Sequence, residues 1–596
     1  MTRDFTLSLV GAGGDGVVTM GDMLARAGAR EGLNAMKTDA YGPQIRGGES
    51  SSAVRLSPDP IYSQGDAIGV MVIFSWAGFS RFKSEITPSA DAIIFHEATD
   101  PVPPEFKRGE GMAIIPVPFI EIAKAASGTG ASKNIVALGM LCGLFHLPEA
   151  PLRASIERRF KKKGPEVVAS NLAAIDAGAK IDFAALASDI PDLNARIEAK
   201  KLDYTPGKPK LLMSGNDATA IGAMYAGCKF FAGYPITPST EVLQILGEWL
   251  PRVDGRVIQT EDELSAFGAV VGASFAGVKS MTSTSGPGLS LMTEMLGLAS
   301  IAEIPSIIYN VMRGGPSTGI PTKSEQSDLF QAVFGGHGDM PRAVLAPADV
   351  EDSFHCIVEA FNISEEFQIP VIILNDQLIA QRIETLDEAS LVHEIKDRKA
   401  PTEEELEDYK RYRETPSGVS PMSAPGIAKG IYQTNGLEHD EYGSPNAGYL
   451  MHEQMNAKRF RKLWGIQSKY HFVRRYGPEK ASVGILTWGS MKGPAEEIVK
   501  RAAARGQAVS AFIPQIIMPF PKSELDQFIA SCDQILIVEQ NYSAQFYKYL
   551  RSFADLPAGR THVYKKSGGR PMTMVEIEAE MLKILEPASE PAEVMA

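Results

Sequence analysis

The chain has 596 residues, of which 44% are hydrophobic and 22% charged, with a formal net charge of −13 at pH 7. This is globular composition, and the length predicts about three to four domains. So acidic a chain lacks the basic surface that nucleic acid or an anionic membrane requires. No apolar run reaches the ~20 residues of a membrane span and no secretory apolar region opens the sequence, so a cytoplasmic protein is expected. The four cysteines, Cys142, Cys228, Cys356 and Cys532, are far apart and form no metal-ligand spacing. No metal site is expected here, and an iron–sulfur cluster, which needs clustered thiolates, would have to reside on another chain.

In chain order, residues 1–185 carry the strand candidates FTLSLVGAGG, NAMKTDA, SAVRLS, AIGVMVIFS, DAIIFHE and MAIIPV, with helical patterns between and after them. Gly11-Ala12-Gly13-Gly14-Asp15-Gly16 fits G-x-G-x-x-G between a strand and a helix, either a cradle for an anionic group or a tight turn without ligand. Asp39 lies at the distance where a dinucleotide fold places its ribose-binding acid. The loop Tyr41–Glu49, with Arg46 as its one cation, suits a phosphate or another subunit. Residues 186–209 turn polar and end in YTPGKP, which reads as a linker.

Residues 210–390 alternate strands such as CKFFAGYPI, RVIQT, KSMTSTS, SIIYNVM, RAVLAP and VIILND with helices. Phe230–Ala232 is expected to end a strand, Gly233–Pro235 to turn, and Thr237 to cap a helix with Pro238 in its first turn. YPITPSTE, QTEDELSAFGA, TSTSGPGLSLM and RGGPSTGIPTKSEQSDL each lead from a strand towards a helix. At one edge of one sheet they would build a single crevice lined by Thr237, Glu263, Ser285, Gly286, Arg313, Thr318 and Lys323. Taken alone, Glu263 is equally a first-turn carboxylate favoured by the helix dipole, and Arg313 a surface cation beside a glycine loop. Residues 391–478 read as an extended excursion, acidic and then loop-rich. Residues 479–596 return to strands ASVGILTW, AVSAFIP and QILIVEQ. The predicted class is α/β, with three doubly wound, open parallel-sheet domains.

YPITPS, EDELSAFGA, TSGPGLSLM and RGGPSTG with PTKSEQSDL resemble the α subunit of thiamine diphosphate-dependent 2-oxoacid:ferredoxin oxidoreductases. GAGGDGVV with YGPQIRGGES resembles the γ subunit of the same family, fused ahead of α. GILTWGS, MPFP and ILIVEQNYSAQ resemble the transketolase-like C-terminal domain. The resemblance spans nearly the whole chain. It implies that Glu263 hydrogen-bonds N1′ of the aminopyrimidine, that Pro235 and Thr237 line the cofactor, and that Arg313 and Thr237 meet the substrate. No GDG followed by a suitable asparagine occurs in the α-like part. Mg²⁺, the diphosphate and a [4Fe–4S] cluster are therefore expected on a partner β subunit, in a dimer of αβ heterodimers. Coenzyme A is the expected co-substrate and ferredoxin the electron acceptor. The fused arrangement and the 313–329 loop are most similar to members acting on 2-oxoglutarate, with succinyl-CoA as product and reverse carboxylation open, as in a reductive TCA cycle. Thr318 and Lys323 are candidates for the second carboxylate. Pyruvate-specific and broad-range relatives share YPITP. The rival classes are an NAD-linked dehydrogenase using GAGGDG and a non-catalytic assembly subunit.

Overall fold

The computed structural model describes residues 4–42, 48–104, 106, 111–187 and 190–585. Most of the expected 41–49 loop, Arg46 included, lies outside the described residues. The chain forms two compact units, one of residues up to 213 with 381–390 and one of 214–380 with 391–596.

The first unit is built on an eight-stranded sheet in the order Ala113–Val117, Pro88–Glu97, Ile68–Ile73, Phe5–Gly11, Ser50–Ser57, Asn34–Tyr41, Ile383–Leu386 and Leu211–Ser214. The α/β expectation holds, but this sheet is mixed. Its Phe5, Ile68, Pro88 and Ala113 strands run parallel, whereas Ser50–Ser57 is antiparallel to both of its neighbours. The link from Asn34–Tyr41 to Ser50–Ser57 is too short for a crossover, so an antiparallel return is the available geometry. Within 186–209, read from its prolines and glycine as a linker, the helix Leu193–Lys200 buries Leu193 and Ile197 in the first core. Gly207 and Lys210 N–H groups then donate to the Glu31 and Ala29 carbonyls at 2.7 and 2.9 Å. An i, i+4 apolar pair is enough to dock a short helix whose other positions are polar.

The second unit has a seven-stranded sheet in the order Ile516–Met518, Ala343–Leu345, Pro370–Asp376, Ser306–Met312, Ser280–Thr284, Phe230–Gly233 and Arg256–Gln259. All of its pairings are parallel except the first, where Ile516–Met518 adds an antiparallel edge. The central strands SIIYNVM and PVIILND are buried along their whole length, as expected of a parallel sheet covered on both faces. The C-terminal five-stranded sheet, ordered Val473–Tyr476, Val509–Pro514, Ala481–Leu486, Cys532–Glu539 and Thr561–Lys565, shares one apolar core with it. Phe512, Phe520, Phe528 and Phe546 join Leu329, Val344 and Leu374 there.

The excursion after residue 391 carries the 21-residue helix Tyr449–Lys469, which buries two lysines on the same face as Met455, Leu463 and Ile466. Lys458 and Lys462 reach Glu303 at 2.6 and 2.5 Å, all three fully buried. The paired lysines hold the Glu303 carboxyl well below its ordinary range, overcoming its burial, while burial pushes Lys462 down to about 7. Periodicity cannot announce a helix docked in this way, because lysine reads as solvent-facing. Among the described residues, no helix is long and apolar enough to cross a membrane.

Candidate functional site

Four loops leave the carboxyl ends of neighbouring strands in the second unit, and five of the sequence-selected residues, Thr237, Glu263, Ser285, Gly286 and Arg313, lie on them. Strand Phe230–Gly233 runs into Tyr234–Ser239, and the helix that follows spans Thr240–Trp249. Thr237 is therefore not the helix cap, contrary to expectation; Ser239 holds that place. The Ser239 N–H donates to the Ile236 carbonyl at 2.9 Å, closing a turn before the helix starts. Thr237 faces solvent, and its carbonyl accepts from Arg313 Nη1. Pro235 is half-buried beside exposed Tyr234. A buried polar chain supports this loop: Asn375 donates to the Tyr309 hydroxyl at 2.8 Å, Tyr309 to Asn216 at 3.1 Å, and Asn216 to the Pro238 carbonyl at 3.0 Å.

Glu263 is the first residue of the helix Glu263–Phe275, capped by Asp262, whose carboxylate accepts from the Ser265 N–H at 2.8 Å. Glu263 is buried, yet its carboxylate makes no ion pair or hydrogen bond with another described residue. It lies over Gly288 in the next loop. An added Cβ there would fall 2.1 Å from Thr284 Oγ1 and 2.7 Å from Glu263 Oε1, so the SGPG loop tolerates no side chain at that point. Beside it, the buried hydroxyl of Ser285 has no partner among the described residues. A buried carboxylate and a buried hydroxyl, both without partners among the described residues, are unfavourable unless other groups, such as those of a ligand, supply the missing donors and acceptors.

Arg313 follows strand Ser306–Met312 and is 7% exposed. Beyond the bond to Thr237, its Nε is buried without a partner among the described residues. Burial lowers the guanidinium pKa, while the fields of Asp328 and Glu263 raise it. Asp328 accepts from Asn310 Nδ2 at 2.9 Å, and burial pushes its carboxyl upward. Arg313, Asp328, Gly286, Ser290, Asn541 and Tyr542 belong to the lining of a cleft of about 500 Å³. The C-terminal domain closes one side of it: Gln545 donates to the Ser327 carbonyl at 2.8 Å, and the Gln540 and Gln326 amides are bonded reciprocally at 2.8 Å.

Thr318 and Lys323 do not join this cleft. Thr318 is exposed in the 315–320 turn, and the Lys323 stem lies against the C-terminal domain, where an added Cβ on Gly569 would fall 2.2 Å from the lysine Cβ. The turn is folded back by the Ile320 N–H donating to the Gly314 carbonyl at 2.8 Å, which carries both side chains away from the cleft lining. Asn216, Tyr309, Asn310 and Asp328 escaped selection as functional residues by sequence. The available signal was polar residues inside otherwise apolar strands, as in SIIYNVM.

The glycine-rich loop of the first unit is arranged differently. Asp15 folds back so that its Oδ2 accepts from the Ala12 N–H at 2.8 Å, and its Oδ1 pairs with Lys133 Nζ at 2.8 Å. Gly16 has a φ of +76°, and an added Cβ there would fall 2.3 Å from Asn134 Nδ2. Asp39, the candidate ribose ligand, is paired with Lys37 at 2.5 Å.

Comparison with known proteins gives the class. A family model described as pyruvate flavodoxin/ferredoxin oxidoreductase, thiamine diphosphate-binding, matches residues 221–457. Models described as pyruvate ferredoxin/flavodoxin oxidoreductase and as pyruvate:ferredoxin oxidoreductase core domain II match residues 6–181 and 481–577. The chain is 38% identical over 340 residues to a 2-oxoglutarate synthase subunit KorA of Methanothermobacter marburgensis, covering 57% of this chain and 90% of that protein. It is 29% identical over 649 residues to the α subunit of 2-oxoacid:ferredoxin oxidoreductase 1 of Aeropyrum pernix, covering 98% of each. A solved structure described as 2-oxoglutarate:ferredoxin oxidoreductase from Magnetococcus marinus with 2-oxoglutarate, coenzyme A and succinyl-CoA bound superimposes with a TM-score of 0.91. It is 37% identical and covers 98% of this chain and 100% of that one. The chain thus belongs to the 2-oxoacid:ferredoxin oxidoreductase family, as an α subunit with a thiamine diphosphate-binding domain.

Proposed function

We propose that the chain is the α subunit of a 2-oxoglutarate:ferredoxin oxidoreductase, which converts 2-oxoglutarate and coenzyme A to succinyl-CoA and CO₂, passes electrons to ferredoxin, and can run in reverse. The observation that carries this reading is the buried Arg313, with one guanidinium edge unsatisfied in a cleft that opens beside the unpartnered Glu263. The names of the relatives at 37–38% identity support the substrate.

The residues present fit thiamine diphosphate. Glu263 would hold N1′ of the aminopyrimidine, the glycine at 288 leaves the cradle open, and Pro235 and Thr237 would line the ring's edge. When bound, the cofactor supplies the carbon nucleophile and the electron sink for decarboxylation. Glu263 contributes control of a proton: a carboxylate at N1′ favours the tautomer whose exocyclic nitrogen acts as base. Arg313 orients the C1 carboxylate of the substrate through the guanidinium edge it keeps free, and its burial strengthens that pairing. Mg²⁺, the diphosphate and a [4Fe–4S] cluster belong on a β partner, in an αβ assembly.

Among the described residues, the cleft lining includes one cation, Arg313, beside the carboxyl groups of Glu325 and Asp328. A second substrate carboxylate needs its own counter-charge. With Lys323 set against Gly569, a partner subunit would supply that counter-charge. The test is kcat/KM for 2-oxoglutarate and for pyruvate in the reconstituted αβ complex. A preference for pyruvate would overturn the substrate, and activity of the isolated chain would overturn the division of labour.

A further inference from the structure

Asp328 and Glu325 are charged groups of the cleft lining that the reading above leaves without a role, and Glu325 is engaged by the backbone of the C-terminal domain. The Asp328 carboxylate has few donors. Asn310 Nδ2 gives one bond at 2.9 Å, and the Ser327 hydroxyl, 3.1 Å away, has a single proton that it also directs to the Arg313 carbonyl at 2.8 Å. The group rests on the backbone of the SGPG loop, where an added Cβ on Gly286 would fall 2.9 Å from Asp328 Oδ1. Arg313 lines the same cleft but does not pair with it directly; the two act on each other through the field. Both residues line the cleft in which a substrate carboxylate held by Arg313 would lie.

We propose that Asp328 takes up one proton when the carboxylate of a 2-oxoacid binds to Arg313, and gives it back when CO₂ departs. The inference rests on the reading of Arg313 as the carboxylate-binding residue. An incoming anion places a like charge beside a buried carboxylate and draws on the same cation, so the second negative charge cannot be sustained there. A proton from solvent converts Asp328 to a carboxylic acid, whose O–H can then donate to the substrate carboxylate. Loss of CO₂ removes that anion, and Asp328 ionises again, so charge balances over the cycle. The other charged or titratable groups facing it are Glu263 beyond the guanidinium, Glu325 on its own segment and the Tyr542 hydroxyl across the cleft. Glu325 is engaged by the Gly568 N–H at 2.6 Å. The helices Gly286–Leu291 and Gln545–Leu550 present Ser290 and Gln545, both neutral. Asp328 is thus the group placed to absorb the added charge.

The experiment titrates the reconstituted αβ complex with N-oxalylglycine, a 2-oxoglutarate analogue whose amide carbonyl resists attack, by calorimetry in buffers of different ionisation enthalpy. Up to one proton should be taken up per ligand bound, over the pH range in which affinity weakens by up to about tenfold per pH unit as pH rises. Asp328→Asn, already neutral, should bind with no proton uptake and a flat pH profile. Absence of proton uptake by the wild type, or the same uptake in Asp328→Asn, overturns the inference. If Arg313→Gln binds the analogue as tightly as wild type, the site reading falls together with it; if Arg313→Gln loses affinity while the wild type takes up no proton, only the role of Asp328 falls.

Discussion

Two glycine-rich strand-to-helix loops of this chain carry the same kind of sequence signal and have opposite chemistry. In GAGGDG the loop is satisfied from within: Asp15 accepts the Ala12 amide and is neutralised by Lys133. In TSGPG the Ser285 hydroxyl is buried without a partner, and Glu263 stands over Gly288 with nothing from the described residues to bind. A glycine motif states only that the backbone can turn tightly and approach closely. Whether the space so made is open to a ligand depends on which side chain points into it.

The comparison can be broken at several places. The largest effect is expected from Glu263→Gln, which keeps shape but replaces the carboxylate proposed to control the N1′ proton with a neutral amide: kcat of the αβ complex should fall on the order of 10²-fold or more with the fold intact. Near-normal turnover would show that the open loop owes its activity to another group. Arg313→Lys should lower kcat/KM for 2-oxoglutarate and pyruvate alike, on the order of 10²-fold, because an ammonium cannot reproduce the planar guanidinium edge while also holding the Thr237 carbonyl. An effect on one substrate only would mean that Arg313 reads the far end of the molecule.

For the closed loop, calorimetry of the full chain with NAD or NADP should give no micromolar binding. Such binding would mean that Asp15 yields its place and would revive a dehydrogenase reading. Asp15→Asn should lower stability by about 1 kcal/mol through loss of the Lys133 pair, measured by denaturant unfolding, and leave the kinetics of the αβ complex unchanged. The smallest effect is predicted for Lys323→Ala, with the ratio of kcat/KM for 2-oxoglutarate over pyruvate changing less than about threefold. A larger fall would return Lys323 to the substrate site.

Much of the candidate site's placement was legible because it is written in short stretches. Glu263 at a helix start, the glycines of SGPG and Arg313 before a glycine pair each follow from local rules of caps, turns and strand ends. Misread were the places where partners distant in sequence decide. The cap assigned to Thr237 is lost because its carbonyl goes to Arg313, 76 residues on. Lys323 seemed well placed for a second carboxylate until Gly569 took its stem.

By itself, the sequence determined the α/β class, the crevice-building loops and the family, since these rest on periodicity, turn chemistry and residue order. Tertiary structure alone decided that Asp15 fills its own loop, that Asp328 shares the cleft with Arg313, and that the helix Tyr449–Lys469 docks through Lys458 and Lys462 on Glu303. The physical reason is common to all three. A charged side chain reads as solvent-facing in any local window, and only the position of its counter-charge, fixed by packing over tens or hundreds of residues, makes it a structural tie or leaves it for a ligand.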